Sequence, residues 1–182
     1  PRSTPSNSSA ASDVYKRQGN IIILDWPYAT SVMDRVKGFE EEIANFPEIK
    51  IIDKVDGGAQ RDPAMKAMEN MLQAHKDING VFAINDDTAL GALSAIEGAG
   101  RKEIVIIGYD AIPEARDAIL RDSPLKADVV QDPVKIGKVA VKTAVDFLKG
   151  KEVSSFIPIE VSIVDREFLE KTRKPVETPV KK

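Results

Sequence analysis

The chain has 182 residues, 42% of them apolar and 30% charged, which is enough apolar content for a real core with ordinary surface charge. Its net charge of −3, from 26 basic and 29 acidic residues, argues against a nucleic-acid surface. Without cysteine and with one histidine it can build neither a disulfide framework nor a Cys/His metal centre, and it has no run of about 18 apolar residues to span a membrane.

Residues 1–18, PRSTPSNSSAASDVYKRQ, are Ser/Pro-rich and aperiodic, which predicts disorder. SDVYKRQ resembles translated adapter or vector sequence, so this stretch is read as a non-native leader and set aside. Asn20 to Asp25 is a continuous apolar run ending in a carboxylate, hence a strand buried on both faces. Val32, Val36, Phe39 and Ile43 form one helical stripe between Ser31 and Phe46. Ile49–Val55 is a second strand, broken by Gly57-Gly58. Pro63 opens a helix lined by Met65, Met68, Met71 and Leu72.

Strand Val81–Ile84 precedes a helix through Leu90, Leu93 and Ile96, which Gly98 and Gly100 end. Strand Ile104–Gly108 precedes a helix near Pro113–Arg121. Strand Lys126–Val130 is followed by a long helix, Val134–Leu148, and then by a last strand, Ile157–Val164. About five βα repeats predict an α/β fold with a parallel, right-handed, doubly wound sheet.

No catalytic signature is present: there is no G-x-S-x-G, no P-loop and no G-x-G-x-x-G after a strand. The informative pattern lies at the strand ends, because ligands of parallel α/β sheets bind along the carboxyl rim. Asn85 follows the third strand, Tyr109-Asp110 the fourth and Gln131 the fifth. Each has an ordinary reading as well. Asn85 can cap a helix, Asp110 can make a turn before Pro113, and Gln131 can be plain solvated surface. We expect Asn85 to point into a cleft and cap nothing. Arg35, one turn into the first helix, reads alone as a solvated arginine. Tyr109, Trp26 and Tyr28 are aromatic candidates for stacking on a sugar face or for packing at the core edge. His75 reads as a surface histidine at a helix C-terminus, and the Met65/Met68/Met71 stripe as core.

Three long segments, GVFAINDDTALGALSAIEGAG, EIVIIGYDAIPEARDAI and LKADVVQDPVKIGKVAVKTAVDFLKG, resemble the ribose/galactose-type periplasmic sugar-binding proteins. The resemblance runs from about Asn20 to Val164. It implies a Rossmann-like lobe of the type I periplasmic-binding fold, with two such lobes closing on a monosaccharide. It also implies delivery to an ABC permease or a chemoreceptor, and a periplasmic or lipid-anchored extracellular location. No cofactor and no metal are implied. Position by position, Arg35, Asn85, Asp110 and Gln131 match ligand contacts, with Tyr109 the neighbouring aromatic. Many relatives carry Trp or Phe where this chain has Ala59, so Gln60 is expected to contribute by hydrogen bonding instead.

The resemblance further divides the chain. Residues 19–131 form the C-terminal sugar-binding lobe. Residues 132–165 are a hinge crossover, helix and strand belonging to an incomplete N-terminal lobe, and 166–182 a charged tail. Two other functions compete with the sugar-importer reading. The effector domain of a lac-repressor-type regulator shares the fold and the turns, although Arg101-Lys102-Glu103 and ADVVQDPVKIG look like the transport branch. A sugar-processing enzyme would need a nucleophile–base pair or carboxylate dyad that the spacing does not show.

Overall fold

Unbroken β-branched runs set the sheet. In the computed structural model, which describes residues 19–172, Ile22, Ile23 and Leu24 are fully buried at the centre of β1 (Gly19–Asp25). The chain continues through α1 (Thr30–Ile43), β2 (Ile49–Asp56), α2 (Arg61–Ala74), β3 (Gly80–Ala83), α3 (Asp86–Gly98), β4 (Val105–Tyr109), α4 (Pro113–Leu120) and β5 (Leu125–Val130). It ends in α5 (Pro133–Leu148), β6 (Ser162–Asp165) and α6 (Arg166–Thr172). The order across the sheet is β2-β1-β3-β4-β5-β6. The first five strands are parallel, as expected, and β6 runs antiparallel to β5. The winding reverses between β1 and β3, so the crevice of a doubly wound sheet opens there, outside the strands' carboxyl ends.

Side chains alternate along the strands, and two cores result. Ile22, Leu24, Val81, Ala83, Ile106 and Leu125 pack with Met68, Leu93, Ile96 and Ile119 of α2, α3 and α4. Ile23, Phe82 and Ile84 pack on the other face with Val32 and Val36 of α1, and Phe39 stacks on Phe82 at 4.3 Å. The methionine stripe is core at Met68, with Met65 and Met71 partly buried around it. Small residues let α2 and α3 approach closely. A Cβ at Gly91 would stand 2.3 Å from the Arg61 carbonyl and 2.9 Å from Ala64 Cβ.

The expected strand Ile157–Val164 is corrected. Residues 151–161 carry no regular structure, and only Ser162–Asp165 finds a partner, Val130 to Ala127 of β5. β6 thus pairs into this sheet. The charged tail is corrected in part: residues 166–172 are helix, with Leu169 buried in the main core. α5 forms as predicted but buries none of its residues. The leader read at 1–18 and the rest of the tail lie outside the described residues.

Candidate functional site

The rim of the sheet gathers the side chains that sequence placed at strand ends. Arg35 projects from α1 and is only 16% exposed. Its Nη1 donates to the Ile84 carbonyl at 2.7 Å, and Nη2 lies 3.9 Å from Asp110 Oδ1. The guanidinium also sits 3.7 Å over the centre of the Tyr109 ring. One arginine therefore joins α1, the end of β3 and the end of β4. Guanidinium is well suited to this, being planar, permanently charged and weakly hydrated.

Asp110 is held in a strained turn. Its φ is 109° and that of Ala111 is 52°, two consecutive non-glycine residues in the left-handed region. Such conformations cost about 1–3 kcal/mol each and persist where the surroundings over-determine them. Here the Asp110 N–H donates to the Val129 carbonyl at 2.8 Å, and Arg116 Nε donates to the Ala111 carbonyl at 2.7 Å. Burial raises the Asp110 pKa, against the Arg35 charge and the Gln131 amide, which both favour the carboxylate; the Asp87 charge adds to the upward push. Arg35, Tyr109, Asp110 and Gln131 are thus brought together.

Asn85 is corrected. It caps α3, Oδ1 accepting from the Thr88 N–H at 2.9 Å, because the first turn of a helix leaves N–H groups without partners. Its Nδ2 donates to the Ala59 carbonyl at 3.3 Å and stitches the β3 turn to the β2 turn. The half-buried side chain keeps a second N–H for another acceptor. Gln60 joins the rim only through this stitch. It stands exposed at the N-cap of α2 and makes no capping bond with its side chain. One face of the Tyr109 ring is occupied by the Arg35 guanidinium. Trp26 and Tyr28 form an edge-to-face pair, centroids 5.6 Å apart, beyond β1. His75 caps α2 at its C-terminus and meets Asp53 at 3.0 Å.

Sequence reasoning missed one pair. Asp86 and Asp128 are 2% and 0% exposed, and their carboxyl groups face each other beneath the rim. The available signal was an aspartate between Ala127 and Val129-Val130 in the inner part of β5. A groove of about 320 Å³ between α3 and α4, with Leu90, Leu93, Glu97 and Arg121 among its walls, includes none of the predicted ligand residues.

Chemically the rim offers a carboxylate acceptor, a guanidinium donor and amides that do both. Neutral hydroxyls, which both donate and accept, are the natural complement.

The comparisons with known proteins agree with this chemistry. Residues 9–152 match the family described as periplasmic binding protein domain. The ribose import binding protein of Escherichia coli (strain K12) is 32% identical over 138 residues, 76% of this chain and 46% of that protein. The ribose import binding protein of Bacillus subtilis (strain 168) is 41% identical over 131 residues, 72% of this chain and 42% of that protein. Among solved structures, an ABC transporter periplasmic solute binding protein from Actinobacillus succinogenes 130z with bound D-allose superposes with a TM-score of 0.79. It is 29% identical, with 89% of this chain and 57% of that one covered. The chain spans less than half the length of the two ribose-binding relatives.

Proposed function

This chain belongs to the periplasmic binding protein domain family, and we propose that it is the C-terminal lobe of the solute-binding component of an ABC importer. The ligand is a monosaccharide held between this rim and a second lobe. The observation that carries the reading is the convergence of Arg35, Asp110 and Gln131 on one edge, with a donor and an acceptor both half-withdrawn from water. A closed, dry cleft strengthens such hydrogen bonds, and those to charged groups contribute roughly 1.5–3 kcal/mol each.

The names of the relatives favour this reading over the regulator's effector domain. A periplasmic or lipid-anchored location and partnership with permease subunits or a chemoreceptor go with it. No helix among the described residues is long and apolar enough to cross a membrane. The bare face of α5 fits a helix that packs into the second lobe. Ala59 in place of a stacking ring, with Gln60 free beside it, favours a ligand gripped more by hydrogen bonds than by an aromatic wall on that side.

Calorimetry on the complete protein tests this against ribose, allose, apiose, galactose, xylitol and myo-inositol. We expect binding of at least one of them, weakened at least about tenfold by Asp110→Ala, in line with loss of one charged hydrogen bond. Unchanged affinity would remove Asp110 from the site. Absence of binding across the panel would overturn the sugar reading.

A further inference from the structure

A buried acidic pair lies beneath the rim, where the ends of β3, β4 and β5 come together. Asp86 opens α3 directly after Asn85, and Asp128 sits three residues before Gln131. Gly108, two residues before Asp110, lies between them. A Cβ there would stand 2.2 Å from Asp128 Oδ1 and 3.1 Å from Asp86 Oδ1. Both carboxyl groups therefore converge on the space that this glycine leaves open.

The donor inventory is short. Asp86 Oδ2 accepts from the Ile112 N–H at 2.6 Å. Asp86 Oδ1 and both oxygens of Asp128 meet no donor in good hydrogen-bond geometry. The Gly108 N–H acts on Asp128 without reaching that geometry. The charged groups acting on the pair are all acidic: Asp87 from α3 and Asp110 from the β4 turn bear on Asp86, and Asp110 bears on Asp128. Arg35 and Arg61 engage Asp110 and Asp87, not the pair. Two ionised carboxylates offer acceptors only, so as a doubly charged pair they would repel with nothing between them. One proton resolves this, because the protonated acid becomes the donor that the other lacks.

We propose that Asp86 and Asp128 share a single proton near neutral pH and thereby bind the β3, β4 and β5 ends into one rigid edge. The inference rests on the sugar reading only where it calls those ends ligand-bearing. Burial pushes Asp86 up to about 6 and Asp128 up to about 8, the Asp86 charge adding to the second. Folding tightens proton binding at both groups. Their contribution to stability is therefore complete below the ordinary aspartate value of 3.8, and it is lost as pH rises through about 6 and then about 8.

The test needs no sugar, so its failure is separate from failure of the importer reading. Carboxyl-carbon NMR of the complete protein should show one protonated carboxyl of the two near neutral pH. Hydrogen-exchange protection of the Ile112 amide should fall at least about tenfold as pH rises past about 8, the size of one pKa unit of differential interaction. Asp128→Asn supplies a permanent donor of the same shape and should abolish the fall in protection past about 8. Asp128→Ala should lower it at every pH. Two ionised carboxyls near neutral pH, or an unchanged pH profile in Asp128→Asn, would overturn the proposal. Should Asp128→Asn not fold, the wild-type titration decides alone.

Discussion

α3 and α5 are both apolar-rich helices that follow a strand of the parallel sheet, yet α3 buries eight of its residues and α5 buries none. The difference is not apolar content, which is the same in both. α3 presents Ala89, Gly91, Ala92 and Ala95, small enough to let α2 and the sheet approach on both sides. α5 presents Val134, Val141, Val145 and Leu148 along one side, the last 82% exposed. A contiguous bulky apolar face in water marks a contact surface. Burial is thus a property of what surrounds a helix, and α5 is patterned for surroundings that the described residues do not supply.

The contrast can be broken first at α3. Gly91→Ala sets a methyl against the Arg61 carbonyl and Ala64. It should cost about 3 kcal/mol, the upper range for overpacking, in urea denaturation of the complete protein. A loss below about 1 kcal/mol would mean that the α2–α3 seam is looser than described.

Asn85→Ala should cost about 1 kcal/mol in the same measurement, as loss of an N-cap does. It also releases the Ala59 carbonyl, so the β2 turn should exchange its amides faster. No change in either readout would remove Asn85 from its capping role.

The smallest effect is expected at α5, and it is the most informative. In the 182-residue chain alone, Leu148→Gln should shift unfolding by no more than about 0.5 kcal/mol and should reduce self-association in sedimentation. In the complete protein the same change should cost clearly more, because the face is then covered. Equal effects in both would leave α5 without a partner and the contrast with α3 without its explanation.

Much of this was legible in the sequence because the sheet alternates so regularly. The five βα units, and the placement of Asp110 and Gln131 on one edge, follow from strand ends alone, whereas only the family resemblance brings in Arg35 from its helix. Side-chain direction does not follow. Nothing in the spacing says that Asn85 turns back to its own helix, or that Tyr109 lies under a guanidinium. Ile157, Ile159 and Val161 alternate as a strand would, but Pro158 between them has no N–H to give, and a strand exists only where a neighbour accepts its hydrogen bonds. That neighbour, β5, is met only from Ser162 onward. The Asp86–Asp128 pair was hidden because its members are far apart in the chain and look, one by one, like a cap and a stray charge.

One detail of register has a mechanical consequence. Val130 and Ser162 are paired neighbours on adjacent strands, so everything from Gln131 to Val161 departs and comes back at a single spot. A body carried on that excursion is moored by two cords roughly 5 Å apart. Such moorings oppose sliding and detachment and leave one soft motion, a swing about the line between them.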